Sequence, residues 1–396
     1  MASKGIKDKV AIIGMGCTRF GELWDQGPDD LAIDAAHEAL EDAGLDLKDI
    51  DAFWLGSLYT FLCGMPLALA LKSQFKPVTR VENLCATGGE AIRNASYAVA
   101  SGAYDIVMAI GVEKLKDSGL SGIDASLAIA RPDGTHPDIS APGAFSMLAP
   151  AYFKKYGIEP KKGKEVLARI AWKNHKNGAL NPKAQYRKEV PIEQILKSPI
   201  IAEPLGVMDC SGVSDGAAAA IIVRAEDAKK YRSDPMYIKG LAICASNEVS
   251  GLYSDYDYTT LPESYHAAID AYKQAGIKNP REEISLAEIH DCFTPTELIL
   301  YEDLGFSERG KAWQDVLNGF FDLNGPLPVN PDGGLKSFGH PIGASGIRMH
   351  YEIYKQFQGK AEARQIKNPK IGLTHNVGGF PYKGVVSVTV VGKELG

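Results

Sequence analysis

The order of strands and helices written into this chain runs through once and then again, and that restricts the fold more than any single motif. In the first pass Lys9–Gly14 is a continuous apolar run suited to a buried strand, and Leu31, Ala35, Ala39 and Ala43 recur at helical spacing before Gly44 stops the helix. A strand follows at Ala52–Gly56, then a small-residue helix from Glu90 to about Ser101, and strands at Asp105–Ile110 and Ala217–Val223. In the second pass Tyr237–Cys244 opens with a strand, and the helix Tyr265–Ala275 ends at Gly276 as the earlier one ended at Gly44. Ser285–His290 answers Ala52–Gly56, and the glycine-rich turn and helix of Gly339–Gln356 answer the helix at Glu90. Lys370–Thr374 and Val385–Val391 answer Asp105–Ile110 and Ala217–Val223. The alternation predicts an α/β layered fold. Two such halves related by a pseudo-twofold axis bring equivalent loops face to face, so a site made of one loop from each half is geometrically natural.

Other readings fall away. The strand at Lys9 leads into Gly14-Met15-Gly16, but the third glycine of a dinucleotide fingerprint would stand at Arg19, and no helix begins before Asp29. With 43 Lys and Arg against 49 Asp and Glu, the net charge of -6 argues against a general nucleic-acid binder. The polar N-terminus has no apolar run behind it for a signal peptide or membrane span, which points to a cytoplasmic protein. The six cysteines, at 17, 63, 85, 210, 244 and 292, form no CxxC pair or zinc-ligand spacing and are expected as free thiols, with no metal. Asn94-Ala95-Ser96 matches a glycosylation sequon by chance, since it falls inside a predicted helix.

Between the two passes lies an insertion, roughly Lys116 to Met208. The expected division is 1–115 with 209–232 as the first half, 116–208 as the insertion and 233–396 as the second half. The insertion carries turn formers at Arg131-Pro132-Asp133-Gly134 and Ala141-Pro142-Gly143, then helical stretches near Phe145–Tyr156 and Lys164–Asn177. From Lys154 to Lys188 there are eleven Lys or Arg against two acids, Glu159 and Glu165. A solvated face explains such a run, and so does a surface for a ligand bearing several phosphates.

The chemistry concentrates in a few loops. Cys85 follows a short extended segment and precedes Gly88-Gly89 and the helix, so its sulfur is expected at a helix N-terminus, a setting that lowers a thiol pKa. A buried, inert cysteine is equally consistent with that stretch alone. His340 stands in the glycine-rich turn before the second helix and is able to take a proton from Cys85. His290 and Cys292 are two residues apart at a strand end, which points both side chains to one side. His375-Asn376-Val377-Gly378-Gly379 closes a third loop whose glycine N–H groups allow close approach to a ligand.

Four motifs in order, Asn83-Leu84-Cys85-Ala86-Thr87-Gly88, Ser214-Asp215-Gly216-Ala217, His290-Asp291-Cys292-Phe293 and Gly339-His340-Pro341-Ile342-Gly343-Ala344-Ser345-Gly346, resemble those of the thiolase superfamily over essentially the whole chain. The family's Asn-Glu-Ala-Phe is His290-Asp291-Cys292-Phe293 here, and its C-terminal Cys-x-Gly is Asn376-Val377-Gly378. Both departures resemble the sterol-carrier-protein thiolase branch and the archaeal thiolases near it. The resemblance implies a five-layered αβαβα fold and a Claisen exchange, cleaving a 3-oxoacyl-CoA with CoA or running the reverse condensation, as in β-oxidation. In that chemistry His340 deprotonates Cys85, Cys85 carries the acyl group, and Cys292 moves the proton at the α-carbon. Backbone N–H groups of Cys85 and Gly378 form one oxyanion hole, and His340 with His290 the other.

The insertion becomes a lid over CoA, with Lys154, Lys155, Lys161 and Lys162 near its phosphates. CoA is a co-substrate, and no tightly bound cofactor is implied. A homodimer or dimer of dimers is implied, and relatives near this branch work with a small partner carrying a zinc ribbon and an OB fold. The aromatic lid and Tyr253–Tyr258 leave room for an aryl or dicarboxylic acyl group, benzoylsuccinyl-CoA being one such substrate. Two alternatives stay open: a decarboxylating ketosynthase-like condensing enzyme, and a non-catalytic acyl-CoA-binding subunit.

Overall fold

The computed structural model describes residues 5–118, 140–246, 255–381 and 383–396. The turn expected at Arg131–Gly134, together with Tyr253, lies outside them. Nine strands form one mixed sheet: β1 (Val10–Cys17), β2 (Ala52–Gly56), β3 (Val78–Val81), β4 (Ile106–Glu113), β5 (Gly216–Arg224), β6 (Met236–Ala245), β7 (Leu286–Glu288), β8 (Ile371–Phe380) and β9 (Lys383–Gly392). Their order is β3-β2-β4-β5-β1-β6-β9-β8-β7. Read outward from the centre, β1-β5-β4-β2 is matched by β6-β9-β8-β7, so the duplication legible in the sequence is a duplication of topology. The halves meet where β1 and β6 pair antiparallel, Ala11 with Tyr237 and Ile12 with Met236.

Helices complete five layers. α1 (Pro28–Ala43) covers the outer face of the first half and α4 (Pro262–Ala275) that of the second, while α2 (Thr87–Ala100) and α6 (Ile342–Gln358) lie between the halves. The period-2 pattern of β5 decides its two partners. Ala217, Ala219, Ile221 and Val223 pack with Leu31, Ala35 and Ala39 of α1, whereas Ala218, Ala220 and Ile222 face Ile92, Ala95 and Ile347 of the middle helices. The Gly14-Met15-Gly16 run serves packing: a Cβ on Gly16 would stand 2.1 Å from Ala35 O, so α1 lies directly on the strand. The second half repeats the device, since a Cβ on Gly240 of β6 would stand 2.5 Å from Ala271 O of α4.

The inserted segment differs from expectation at its start. Ala141-Pro142-Gly143 opens a helix, Ala141–Ser146, because Ser140 Oγ caps Gly143 N at 3.3 Å and proline fits the first turn. The stretch expected as one helix to Tyr156 is two, broken at Met147, the second being Leu148–Lys155. Then α3 (Pro160–Ala179) follows. Its buried face, including Val166, Leu167 and Ile170, joins the second half's core against α5 (Thr294–Asp303), which is buried throughout. No helix among the described residues is long and apolar enough to cross a membrane.

Candidate active site

Cys85, His290, Cys292 and His340 line one cavity of about 260 Å³. The Cys85 sulfur and one ring nitrogen each of His290 and His340 lie within 4.8 Å of one another, and the two imidazoles meet edge to face with centroids 5.4 Å apart. Such a trio has the spacing of a soft-metal ligand set and equally of a thiol nucleophile with its bases.

Three features of the chain bring these groups together. Leu84 takes φ 50°, a conformation that turns the chain sharply before Cys85, and Thr87 Oγ1 locks the turn by accepting from Asn83 N at 2.9 Å. The middle helices touch backbone to backbone: a Cβ on Gly346 would stand 2.5 Å from Gly89 N, and one on Gly88 2.7 Å from Gly346 N. The first turns of α2 and α6, which carry Cys85 and His340 just ahead of them, are therefore fixed against each other. The third feature is the loop after β7. That strand stops at Glu288, so His290 and Cys292 do not face one way through strand pleating as expected. Their loop is pinned instead, by Ile289 N donating to Asn330 Oδ1 at 2.8 Å, Ser211 N to Cys292 O at 2.8 Å, and Leu335 N and Lys336 N to the Asp291 carboxylate at 2.6 and 3.1 Å.

The hydrogen bonds assign the proton on His340. Ser345 Oγ donates to Pro341 O at 2.9 Å, so it accepts from His340 Nδ1 at 2.7 Å. The tautomer is Nδ1–H, which leaves Nε2 bare, buried and without a partner among the described residues. Burial, with the Arg348 guanidinium beside it, pulls His340 down to about 3. Burial and the neighbouring His340, His375 and Arg348 push His290 the same way. The Cys85 thiol is pushed up to about 12 by burial, with Glu113 adding to the shift. This reverses the expectation from the helix N-terminus, because loss of water around a thiolate outweighs the dipole in a closed pocket. The resting pair is neutral thiol and neutral imidazole. Cys292 is also raised, by burial and by Cys85, and its sulfur lies 3.9 Å from Thr296 Oγ1.

Gly378 belongs to the same corner. A Cβ there would stand 2.4 Å from Asn83 O and 3.0 Å from Cys85 N, so only glycine lets β8 run this close to the Cys85 amide. Lys154, Lys155, Lys161 and Lys162 line neither this cavity nor the larger one beside it. Lys155 pairs with Asp257 at 2.8 Å and Lys162 with Glu165 at 3.1 Å.

Two buried carboxylates went unassigned in the sequence. Glu113, at the end of β4, accepts from Leu58 N, Tyr59 N, Thr60 N and Gly343 N at 2.9–3.0 Å, tying a loop of the first half to the His340 turn of the second. Asp215 accepts from Leu115 N at 2.7 Å, Lys116 N at 2.9 Å and Lys114 Nζ at 2.8 Å. A strand-end acid inside an apolar run is the one signal that marks Glu113 in the sequence. The rest of the cavity wall is mostly apolar and includes Phe145, Phe293 and Phe380.

Residues 10–226 match the thiolase N-terminal domain and residues 246–390 the thiolase C-terminal domain-like family. The chain is 39% identical over 383 residues to an acetyl-CoA acetyltransferase of Methanothermobacter thermautotrophicus, covering 93% of this chain and 96% of that one. It is 32% identical over 406 residues to sterol carrier protein 2 of Gallus gallus, covering 96% of this chain and 71% of that one. A solved structure titled Ltp2-ChsH2(DUF35) aldolase superposes with a TM-score of 0.84 at 26% identity, covering 98% of each chain.

Proposed function

The chain belongs to the thiolase family, in the branch of the sterol-carrier-protein thiolases, and is a CoA-dependent acyltransferase of the thiolase type; from that premise we propose how its residues share the reaction. The bare Nε2 of His340 takes the Cys85 proton as the thiolate attacks the thioester carbonyl. A sulfur–carbon bond forms to Cys85, the bond to the CoA sulfur breaks, and the leaving thiolate takes the proton back from His340 as free CoA. The carbonyl oxyanion is met by backbone N–H groups at Cys85 and Gly378, and the thioester oxygen of the second acyl-CoA by a His290 ring N–H, joined by His340 when its Nε2 carries a proton. Cys292 removes or returns the α-carbon proton in the carbon–carbon step. The supporting observation is that a ring nitrogen of His340, whose Nε2 has no partner among the described residues, lies within 4.8 Å of the Cys85 sulfur in a largely apolar cavity. A condensing enzyme driven by decarboxylation has no need of Cys292, and a mere binding subunit has no use for two thiols and a base.

In this reading the segment 116–208 is the lid. Phe145 lines the cavity, and the chain continues from it into the helix bearing Lys154 and Lys155 and on to Lys161 and Lys162, which would meet the CoA phosphates. The structural relative is a complex with a DUF35 protein, and we extend that arrangement to a small partner here. Exposed Leu62, Leu69 and Phe75 beside edge strand β3 suit a homodimer contact. The test is intact mass after incubation with a panel of acyl-CoAs, alone and with the partner. A gain of one acyl group, absent in Cys85→Ser, is expected; no gain with any acyl-CoA would refute the acyl-enzyme.

A further inference from the structure

Lys336 has no part in the chemistry above, yet it is a buried ammonium whose burial the charges of Asp291 and Asp209 offset only in part. It sits on the short turn of helix Gly334–Ser337, four residues before His340, and is 2% exposed. Its Nζ lies 3.1 Å from His175 Nε2 and 5.9 Å from the centre of the Tyr186 ring, and among the described residues it makes no ion pair. A buried charge is tolerated only when paired or well hydrogen-bonded, and burial draws this one down to about 8.

His175 supplies a second, independent sign. The ammonium has only hydrogens to offer, so His175 Nε2 accepts and the imidazole proton sits on Nδ1. That N–H is buried and has no acceptor among the described residues. Both side chains line a second cavity, of about 850 Å³, whose wall also carries Arg187 and Lys188 and, among the described residues, no Asp or Glu. This cavity adjoins that of Cys85, the two sharing Ile201, Cys210, Ser211 and Gly212. Lys336 is also close to the chemistry through its backbone. Its N–H donates to Asp291, the residue between His290 and Cys292, and four residues of chain hold it within ~14 Å of His340.

We propose that Lys336 and His175 form an oxyanion subsite for the far end of the acyl group, a carboxylate carried by an ω-carboxyacyl-CoA, reached from Cys85 past Cys210–Gly212. The inference rests on the reading that Cys85 is acylated. A CoA phosphate offers the same oxyanion chemistry, but it lies a whole pantetheine arm from the thioester, whereas the Lys336 backbone is bonded to the loop that carries His290 and Cys292.

Binding is measured by calorimetry in the Cys85→Ser protein, where no chemistry intervenes, with succinyl-CoA, glutaryl-CoA, acetyl-CoA and free CoA. Adding Lys336→Met is expected to weaken the carboxylated ligands by roughly 10–100-fold relative to acetyl-CoA, and Lys336→Arg to restore most of the difference. With Cys85 present, acylation by succinyl-CoA slows in parallel. Equal weakening for all four ligands would assign the oxyanion to CoA itself and overturn the proposal, and so would an unchanged ratio. If Lys336→Met does not fold, competition by free succinate against succinyl-CoA but not acetyl-CoA, in otherwise unaltered Cys85→Ser protein, carries the same distinction. Failure of every acyl-CoA to modify Cys85 would sink the acyl-enzyme reading, yet leaves these binding ratios readable.

Discussion

Replacing Gly346 by alanine is expected to separate the nucleophile from its base without unfolding the protein. The added Cβ would stand 2.5 Å from Gly89 N and 2.9 Å from Gly88 C, and an ordinary contact begins at 3.4 Å, so the two middle helices must part by 3.4 − 2.5, about 0.9 Å. Both neighbours are backbone, which cannot swing aside as a side-chain tip does. Cys85 precedes one of these helices and His340 the other, so most of the displacement passes to a group of atoms now within 4.8 Å of one another. A misplacement near 1 Å costs on the order of 100-fold in rate. Overpacking costs about 1–3 kcal/mol, partly offset by the ~0.5–1 kcal/mol that alanine contributes over glycine within a helix. The assay is acetoacetyl-CoA cleavage by CoA, followed through the enolate absorbance well below the midpoint of thermal unfolding. The expected result is a kcat lowered about 100-fold, a small fall in Tm and slower acylation of Cys85 by intact mass. A kcat within threefold of wild type would refute the claim that glycine contact sets the catalytic spacing.

Three further outcomes follow from the site and its burial. Cys292→Ala should keep acylation of Cys85 and lose deuterium exchange at the α-carbon of acetyl-CoA, read by mass spectrometry; retained exchange would remove Cys292 from the proton path. Because burial raises the Cys85 thiol to about 12, alkylation of the unliganded protein by iodoacetamide should accelerate about tenfold per pH unit from 7 to 9, whereas a plateau below pH 8 would mean a resting thiolate. His175, His340 and His375 are drawn down to about 3 and His350 to about 4. The unfolded chain therefore binds more protons below its ordinary imidazole pKa of 6.5, and stability is lost as pH falls from there. At pH 5 each histidine costs about 1.5 × 1.36, roughly 2 kcal/mol, which the buried Asp291 and Asp303 carboxyls, raised to about 7, offset in part by taking up protons in the folded state, so Tm should fall between pH 7 and 5. A flat Tm down to pH 4.5 would show that these imidazoles take up protons without unfolding.

The sheet was largely legible because its strands state both faces. The alanines and isoleucines of Ala217–Val223 alternate between two apolar partners, and the glycines that admit a helix recur in both halves at Gly16 and Gly240. α5 was not read, because a helix buried on every side has no polar face to give a 3.6-residue period. Ala141-Pro142-Gly143 reads as a turn in the sequence because proline and glycine at a helix start look the same as they do in a loop; Ser140 is the discriminating cap. In the site, Cys85, His290, Cys292 and His340 were visible as chemistry, and their convergence followed from the duplication. The direction of the Cys85 shift was not visible, since a local stretch reports a helix end but not the water excluded by residues 200 positions away. The unpaired charge of Lys336 was equally hidden, because its missing partner is a fact of packing, not of spacing.

α6 comes from the second half of the sequence, yet it lies on β4 and β5 of the first, with Ala344 and Ile347 in one cluster with Ala109, Ala218 and Ala220. Neither half therefore owns a finished interior. Severing the chain between 226 and 246, the gap separating the two family domains, would give fragments that each expose one wall of a common room, and neither would hold its shape until it found the other. The duplicated protein is in this respect a dimer that can no longer dissociate: Cys85 and His340 sit on opposite sides of a seam that a single chain now keeps closed.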